Sequence, residues 1–418
     1  MMWDDLARDV LAVDADALSA GADEAAAYAV LDWLGCALAG ARRLEDGSTS
    51  PPPSVPALLT VSPGGNGCEN SVLCALIDDA LAGLACDLDD MIGAAGSAIG
   101  SAVVPAALAA AQMASVSGRE FLTAVSVGYE VASRLGNGHA VDKTGATEAA
   151  AAAAASARLL GLNQAATARA LEMAASQPVA PPALSGLLAA RRVTEGRAGR
   201  ANWERSRRSG VITSALVGGA ANGVALARRR VRIHAATPGL HAILDAALAL
   251  KAAHRLHPED IEAIEVHSPD PTLKGAVGEP DAAALERSLP FCLAMLFTAG
   301  RLGPGEMKPQ YLLKAPVGWL MRGFSLVTAA GAERVVIQTR YGDRYEMDTG
   351  LPRGAHGNPL APNEIRAKFH ALADPTLGPA GANALADAVL ALGAARDLSG
   401  LRASVTIDTH PPRKAHAR

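Results

Sequence analysis

Residues Ala149 to Gly161 read Ala-Ala-Ala-Ala-Ala-Ala-Ala-Ser-Ala-Arg-Leu-Leu-Gly, and this run decides the class of fold. Alanine is the best helix former because it loses no side-chain freedom, and its small side chain lets neighbouring helices approach closely. The run predicts a helix over 149–160 stopped by Gly161, with Asn163 capping a following helix that runs to about Ala175. The composition carries the same message. Half of the 418 residues are hydrophobic but only 3% are aromatic, so the core must be built from Ala, Leu and Val. A mostly helical protein follows, long enough for two domains with cores of their own.

Towards the N-terminus, Ser117-Gly118-Arg119-Glu120 forms a capping box in which Ser117 caps a helix and Glu120 reaches back to it. That helix places Phe121, Val125, Tyr129 and Ala132 largely on one side. Before it lie Gly100 to Leu108 and, earlier, Asp87-Leu88-Asp89-Asp90 in an alanine- and glycine-rich apolar stretch. Carboxylates are costly to bury, so such a cluster lines a cleft or is paired. It reads either as one wall of a small-molecule site or as Asp87 and Asp90 capping helix ends. Further upstream, Glu24 to Leu38 has helical spacing and ends at Gly40.

Towards the C-terminus, a proline-rich break at 178–182 precedes a basic stretch from Arg191 to Arg208, and another helical segment ends near Ala227. The character then changes. His257-Pro258-Glu259-Asp260 is a turn or helix start, and Ile261 to His267 alternates as a strand does. Val335 to Thr339 and Arg344 to Met347 alternate around Tyr341-Gly342-Asp343, which reads as a hairpin. Helical segments at Ala242–Lys251 and Leu289–Phe297 separate these strands, and past Pro359 the chain is helical again, with Asn363 as a cap. The expected architecture is mostly α: a large all-helical domain, discontinuous over 1–229 and 358–418, carrying a smaller inserted α+β lid domain over 230–357.

Net charge of −4 argues against nucleic acid or an acidic membrane as partner. Alanine runs broken by charges leave no membrane span. Met1-Met2-Trp3-Asp4-Asp5 lacks the basic region and apolar core of a signal peptide. Cys36, Cys68, Cys74, Cys86 and Cys292 show no metal spacing, and their odd number without a secretion signal points to reduced thiols in the cytoplasm. Gly64-Gly65-Asn66-Gly67 reads as a flexible loop, since it lacks the strand-then-helix context of a phosphate cradle.

The chain resembles the MmgE/PrpD family, which includes 2-methylcitrate dehydratase, cis-aconitate decarboxylase and iminodisuccinate epimerase. The matching pieces come in order: Val30 to Gly40, Asp87 to Asp90, Gly118 to Leu135, Arg158 to Leu162, Ala174 to Gln177, His241 to Ala246, Pro258 to Ile261, Ser288-Leu289-Pro290-Phe291, and Asn358-Pro359-Leu360 through Lys368-Phe369. The resemblance implies a large helical domain, a smaller lid, a substrate cleft between them and a homodimer. It also implies a metal-free, cofactor-free lyase or isomerase acting on a small di- or tricarboxylate. Abstracting a proton next to a carboxylate builds negative charge there, so the site needs a base and fixed cations.

The family's functional residues carry over unevenly. Its first carboxylate is Asp87, with Asp90 closing the cluster, but the hydroxyl residue expected after the pair is Met91. One family histidine falls at about Ser97, and a second falls near Asp142, with Lys143 and Thr144 beside it. The lysine heading the basic stretch becomes Arg191, followed by Arg192, and the lysine opening the lid becomes Arg232. The tyrosine of the Ser-Leu-Pro motif is Phe291. Arginine grips carboxylates but hardly serves as a base, so Asp87, Asp142 or Lys143 would move the proton, with Arg191 as a fixed cation. Asp90, Ser97, Thr144, Arg192, Arg232, His241 and Phe291 are the expected substrate-binding set. That points to epimerisation, isomerisation or a substrate-specific elimination. The alternative is a non-catalytic or ligand-binding paralogue that has lost dehydratase activity. His139 and His241 stand near the expected histidine places, although His241 at a helix start also reads as a capping or packing residue. Lys143 also reads as a turn lysine, Arg197, Arg200, Arg205, Arg207 and Arg208 as a solvated face or dimer contact, and Cys292 as core.

Overall fold

In the computed structural model of the chain, the described residues are 2–13, 20–45, 55–60, 68–92, 97–136, 145–176, 178–197, 224–274 and 282–405. They form two compact units: Met1–Ala85, Asp89–Arg229 and Ala361–Arg418 make the first, Cys86–Leu88 and Arg230–Leu360 the second.

The first unit is helical. Its opening helices are α1 (Met2–Leu11), α2 (Ala20–Glu45), α3 (Ala57–Thr60) and α4 (Cys68–Leu84). The two-residue strands β1 (Met91–Ile92) and β2 (Ser97–Ala98) pair antiparallel. Then come α5 (Gly100–Met113), α6 (Gly118–Gly136), α7 (Ala146–Leu159), α8 (Gln164–Ser176), α9 (Pro182–Thr194) and α10 (Val224–Ala227). The alanine run forms α7, which is buried along almost its whole length, as a helix apolar on every side must be. Close approach is what the small side chains secure. A Cβ on Gly186 of α9 would lie 2.4 Å from the Ala152 Cβ and 2.5 Å from the Ala153 nitrogen. Gly161 follows α7 with φ of 68°, and the Asn163 side chain accepts the Ala166 N–H at 3.0 Å to start α8.

The capping box forms as expected: Ser117 N donates to Glu120 Oε2 at 2.7 Å, and Glu120 N to Ser117 Oγ at 3.2 Å. One expected stop does not occur. Helix α2 runs through Gly40 to Glu45, and Gly40 is instead a contact residue whose added Cβ would fall 1.8 Å from the Ala82 carbonyl oxygen.

The second unit combines helices with one sheet. It contains α11 (His241–His254), β3 (Ile261–Ser268), α12 (Ala282–Glu286), α13 (Leu289–Ala299), α14 (Ala315–Arg322), β4 (Phe324–Thr328), β5 (Arg334–Thr339) and β6 (Arg344–Asp348). The sheet order is β4-β3-β5-β6. The expected hairpin is β5–β6, with Val336 opposite Glu346 and Gln338 opposite Arg344. Strand β4 is an addition to the sequence reading. It pairs parallel with β3, Ile264 opposite Phe324, a long-range pairing that no local turn announces.

The chain returns to the first unit through α15 (Pro362–Leu390) and α16 (Ser399–Ala403). Asn363 is not the cap of α15. The helix starts one residue earlier, and Glu364 Oε2 accepts the Ala361 N–H at 2.9 Å. No helix among the described residues is long and apolar enough to cross a membrane.

Candidate functional site

The carboxylate cluster is split between two environments. Asp90 lies in the first unit, buried, and its side chain is held by backbone and side-chain groups of the protein. The Tyr129 hydroxyl donates to both Asp90 oxygens at 2.8 Å, the Gly100 N–H donates at 3.0 Å, and Arg229 Nε stands 3.5 Å away. The Asp90 backbone oxygen also accepts the Ile99 N–H at 3.2 Å, so this residue fixes the start of α5. Arg229 is held in turn by the Ala25 carbonyl at 2.7 Å. Burial, with the nearby charges of Asp32 and Asp89, pushes the Asp90 carboxyl up to about 7 against the pull of Arg229 and Tyr129. Burial and the Asp90 charge push the Tyr129 hydroxyl well above its ordinary value. Close by, Asp32 of α2 pairs with Lys368 of α15 at 2.7 Å, both nearly inaccessible. Asp79, also buried, accepts the Ala57 and Leu58 N–H groups at 2.7 and 2.8 Å and anchors α3.

Asp87 belongs to the second unit and is presented differently. Its backbone is left-handed, φ 49°, one of two non-glycine residues with positive φ among those described. Aspartate tolerates this conformation better than most residues, but it still costs energy, and such outliers gather at functional sites. The Asp87 carboxylate pairs with Arg232, and the two differ sharply in access: the Asp87 side chain is 40% exposed and that of Arg232 only 2%.

Beyond Arg232 the same unit holds a histidine pair. His234 Nε2 lies 2.9 Å from Asp245 Oδ1, and the other Asp245 oxygen accepts the Arg353 N–H at 2.7 Å. The His241 ring meets His234 edge-on at 5.4 Å, and its Nε2 bonds the Ala236 carbonyl at 3.0 Å. Burial, then the charge of His234, pushes His241 down to about 3, so it is neutral at ordinary pH. Arg230 is partly buried and held below the ordinary arginine value, first by burial and then by the charge of Arg232.

Of the expected site residues, the structure therefore brings Asp87 and Arg232 together and gives Asp90 a separate, buried set of partners. Arg191 pairs along its own helix with Glu195 at 2.9 Å, and Arg192 is exposed in the last turn of α9. Ser97 is paired through its backbone to Ile92. Phe291 and His241 are fully buried in the second unit. Cys292 is buried beside Phe291, its thiol pushed up by burial and donating to the Leu285 carbonyl at 3.4 Å. Asp142, Lys143 and Thr144 lie outside the described residues, as do His139, Arg200, Arg205, Arg207, Arg208 and the Gly64–Gly67 segment.

The sequence reading missed Tyr129 as a partner of Asp90, together with Arg229, Arg230, His234, Asp245 and the Asp32–Lys368 pair. Two signals were available: the dense run Arg228-Arg229-Arg230-Val231-Arg232, and a single carboxylate within the apolar Val30-Leu31-Asp32-Trp33-Leu34. Among the described residues no group of three or more His, Cys, Asp or Glu side chains is arranged to hold a metal ion. The MmgE/PrpD N-terminal domain matches residues 4–202, and the MmgE/PrpD C-terminal domain matches residues 234–393. No curated protein matches the chain.

Proposed function

The chain belongs to the MmgE/PrpD family, and from that premise we propose that it is a lyase or isomerase that acts on a small di- or tricarboxylate by abstracting a proton next to a carboxylate. Family membership supports dehydratase- or lyase-type chemistry on carboxylates in general. The observation that carries the narrower reading is the Asp87–Arg232 pair. A half-exposed carboxylate sits on strained backbone at the family's first carboxylate position, backed by a buried guanidinium. A fixed cation shielded from water stabilises negative charge as it develops on a substrate carboxylate, and an accessible carboxylate can take a proton or orient the group that does. His234, oriented by Asp245, adds an imidazole to the candidates for proton transfer.

A specific observation favours the second reading, a binding paralogue without catalysis. Phe291 stands where a tyrosine was expected and is fully buried, and His241 is a neutral imidazole committed to a backbone carbonyl. A thermal-shift series with citrate, 2-methylcitrate, cis-aconitate, itaconate and aspartate-derived acids tests both. An acid that binds only the folded chain raises the melting temperature by mass action. A clear rise with one acid supports a working carboxylate site, and no rise with any of them contradicts it. Binding without any turnover of the bound acid selects the second reading.

A further inference from the structure

Resting on the carboxylate reading of this site, we propose that two residues outside it set its geometry. Gly354, in the turn at 353–358, positions Arg232, and Asp245 positions His234.

The segment that carries Arg232 and His234 lies outside any helix or strand, so its place depends on what ties it down. On one side the Val231 N–H donates to the Gly354 carbonyl at 2.9 Å, and on the other the Ala235 N–H donates to the Leu302 carbonyl at 2.8 Å. Arg232 and His234 lie between these ties, and both are buried. A buried side chain has no room to swing and make up for a misplaced backbone. The ties therefore decide where the guanidinium and the imidazole stand.

Gly354 makes the first tie possible. Its φ is 85°, and its N–H donates to the Asn358 carbonyl at 2.8 Å, closing the turn. A Cβ at this position would lie 2.0 Å from the Val231 oxygen, which belongs to the peptide joining Val231 to Arg232. Such contacts do not occur below 3.0 Å. A side chain at 354 would push that peptide by about 1 Å, a shift that costs about 100-fold in rate at a reacting group.

The same turn reaches His234 through Asp245. One Asp245 oxygen accepts the Arg353 N–H at 2.7 Å, and the other lies 2.9 Å from His234 Nε2. An ionised carboxylate only accepts, so Nε2 carries the proton and, in the neutral ring, Nδ1 keeps the lone pair. Nδ1 is then the basic atom. The C–H bond next to the substrate carboxylate breaks, its proton bonds to Nδ1, and its electron pair passes into that carboxylate. Asp245 stabilises the imidazolium that results.

Two variants and a control test the proposal. Nitrogen-15 NMR of histidine-labelled protein, without any acid, reads the His234 tautomer, and wild type should show Nε2–H. In Asp245→Asn the Arg353 N–H claims the amide oxygen, so the amide N–H faces Nε2 and should turn the ring to the Nδ1–H form. The probe for activity is whichever of citrate, 2-methylcitrate, itaconate or aspartate raises the wild-type melting temperature. Asp245→Asn should bind it within about 3-fold of wild type yet exchange its proton for deuterium about 100-fold more slowly or worse. Gly354→Ala should weaken its binding about 10-fold or more, while Gly350→Ala, where nothing lies within 4 Å, should leave it unchanged. Melting temperatures without acid separate lost geometry from lost folding, and if Gly354→Ala does not fold, Asp245→Asn carries the test. An unchanged tautomer or undiminished exchange in Asp245→Asn overturns the role of Asp245, as does a wild type that binds without exchange. Wild-type affinity in a folded Gly354→Ala overturns the role of Gly354. Each of these results leaves carboxylate binding intact. No binding and no exchange of any acid by wild type overturns the carboxylate reading and both positioning roles with it.

Discussion

The Tyr129 hydroxyl donates to both oxygens of the Asp90 carboxylate, at 2.8 Å each, inside the helical unit. The pair joins the middle of α6 to the segment that opens α5, and its worth depends on being complete. Tyr129→Phe leaves a buried carboxyl short of one donor, so it should cost about 1–3 kcal/mol in chemical denaturation. A loss below a few tenths would show that the contact carries no load.

Stability should fall as pH rises through the range set by Asp90 and Asp79, whose carboxyls burial pushes up to about 7. In the unfolded chain they titrate near 4, so between about 4 and 7 the native state binds the extra protons. Their contribution is therefore greatest below about 4, declines up to about 7, and is level above that. His241 acts the other way. It is held down to about 3 when folded, so its contribution rises with pH towards its unfolded value of about 6.5. The clean measurement is the difference between wild type and Asp79→Asn at pH 5 and pH 8. The loss of stability between the two should be smaller in the variant, and an equal loss would contradict the assignment.

Gly40→Ala should destabilise more than Gly161→Ala. At Gly40 the new methyl meets the Ala82 backbone oxygen at 1.8 Å, and neither helix can yield easily; about 1–3 kcal/mol or more is expected. At Gly161 nothing lies within 4 Å, and the cost is the left-handed backbone alone, about 1–2 kcal/mol. Denaturation midpoints of the two variants check the order.

Much of the fold was legible because its signals are local. The Ala149–Leu160 run, the Ser117–Glu120 box, the Asn163 cap and the hairpin around Tyr341-Gly342-Asp343 each specify a structure within a few residues. The misreadings have a common cause. Gly40 looks like a stop, but its reason is the Ala82 carbonyl on another helix, and β4 forms only by pairing with β3 across a long intervening segment. The site was legible in part for the same reason. Asp87 and Arg232 were each singled out, yet their pairing is a three-dimensional fact. The same holds for Asp90. Of the two readings its spacing allowed, the capping one describes its bond to the Gly100 N–H, made across the β1–β2 ribbon rather than to the next turn of its own chain.

The Asp32–Lys368 pair joins two pieces that are distant in sequence, α2 and α15. Both side chains are nearly inaccessible, so removing one partner strands the other charge. Lys368→Met should cost about 3–5 kcal/mol, and adding Asp32→Leu to it should recover a large part of that loss. A double variant as unstable as the sum of the singles would show that the two do not act as a pair.

Asp87→Asn should lower stability by about 1–3 kcal/mol despite the exposure of Asp87, because Arg232 is buried. Breaking the more exposed Arg366–Asp387 pair with Asp387→Asn should cost about 0–1 kcal/mol. Equal effects would mean that the Asp87 pair is no better shielded than an ordinary surface contact.

The most direct test of the central claim is proton exchange itself. Wild-type protein in deuterium oxide, incubated with malate, citrate or aspartate, should catalyse deuterium uptake at the carbon next to a carboxylate in at least one of them, followed by proton NMR. Uptake that falls about 100-fold or more in His234→Gln or Asp87→Asn would place the proton-moving group in this cluster. An acid that binds tightly and never exchanges its proton would contradict the enzymatic account and leave a binding protein in its place.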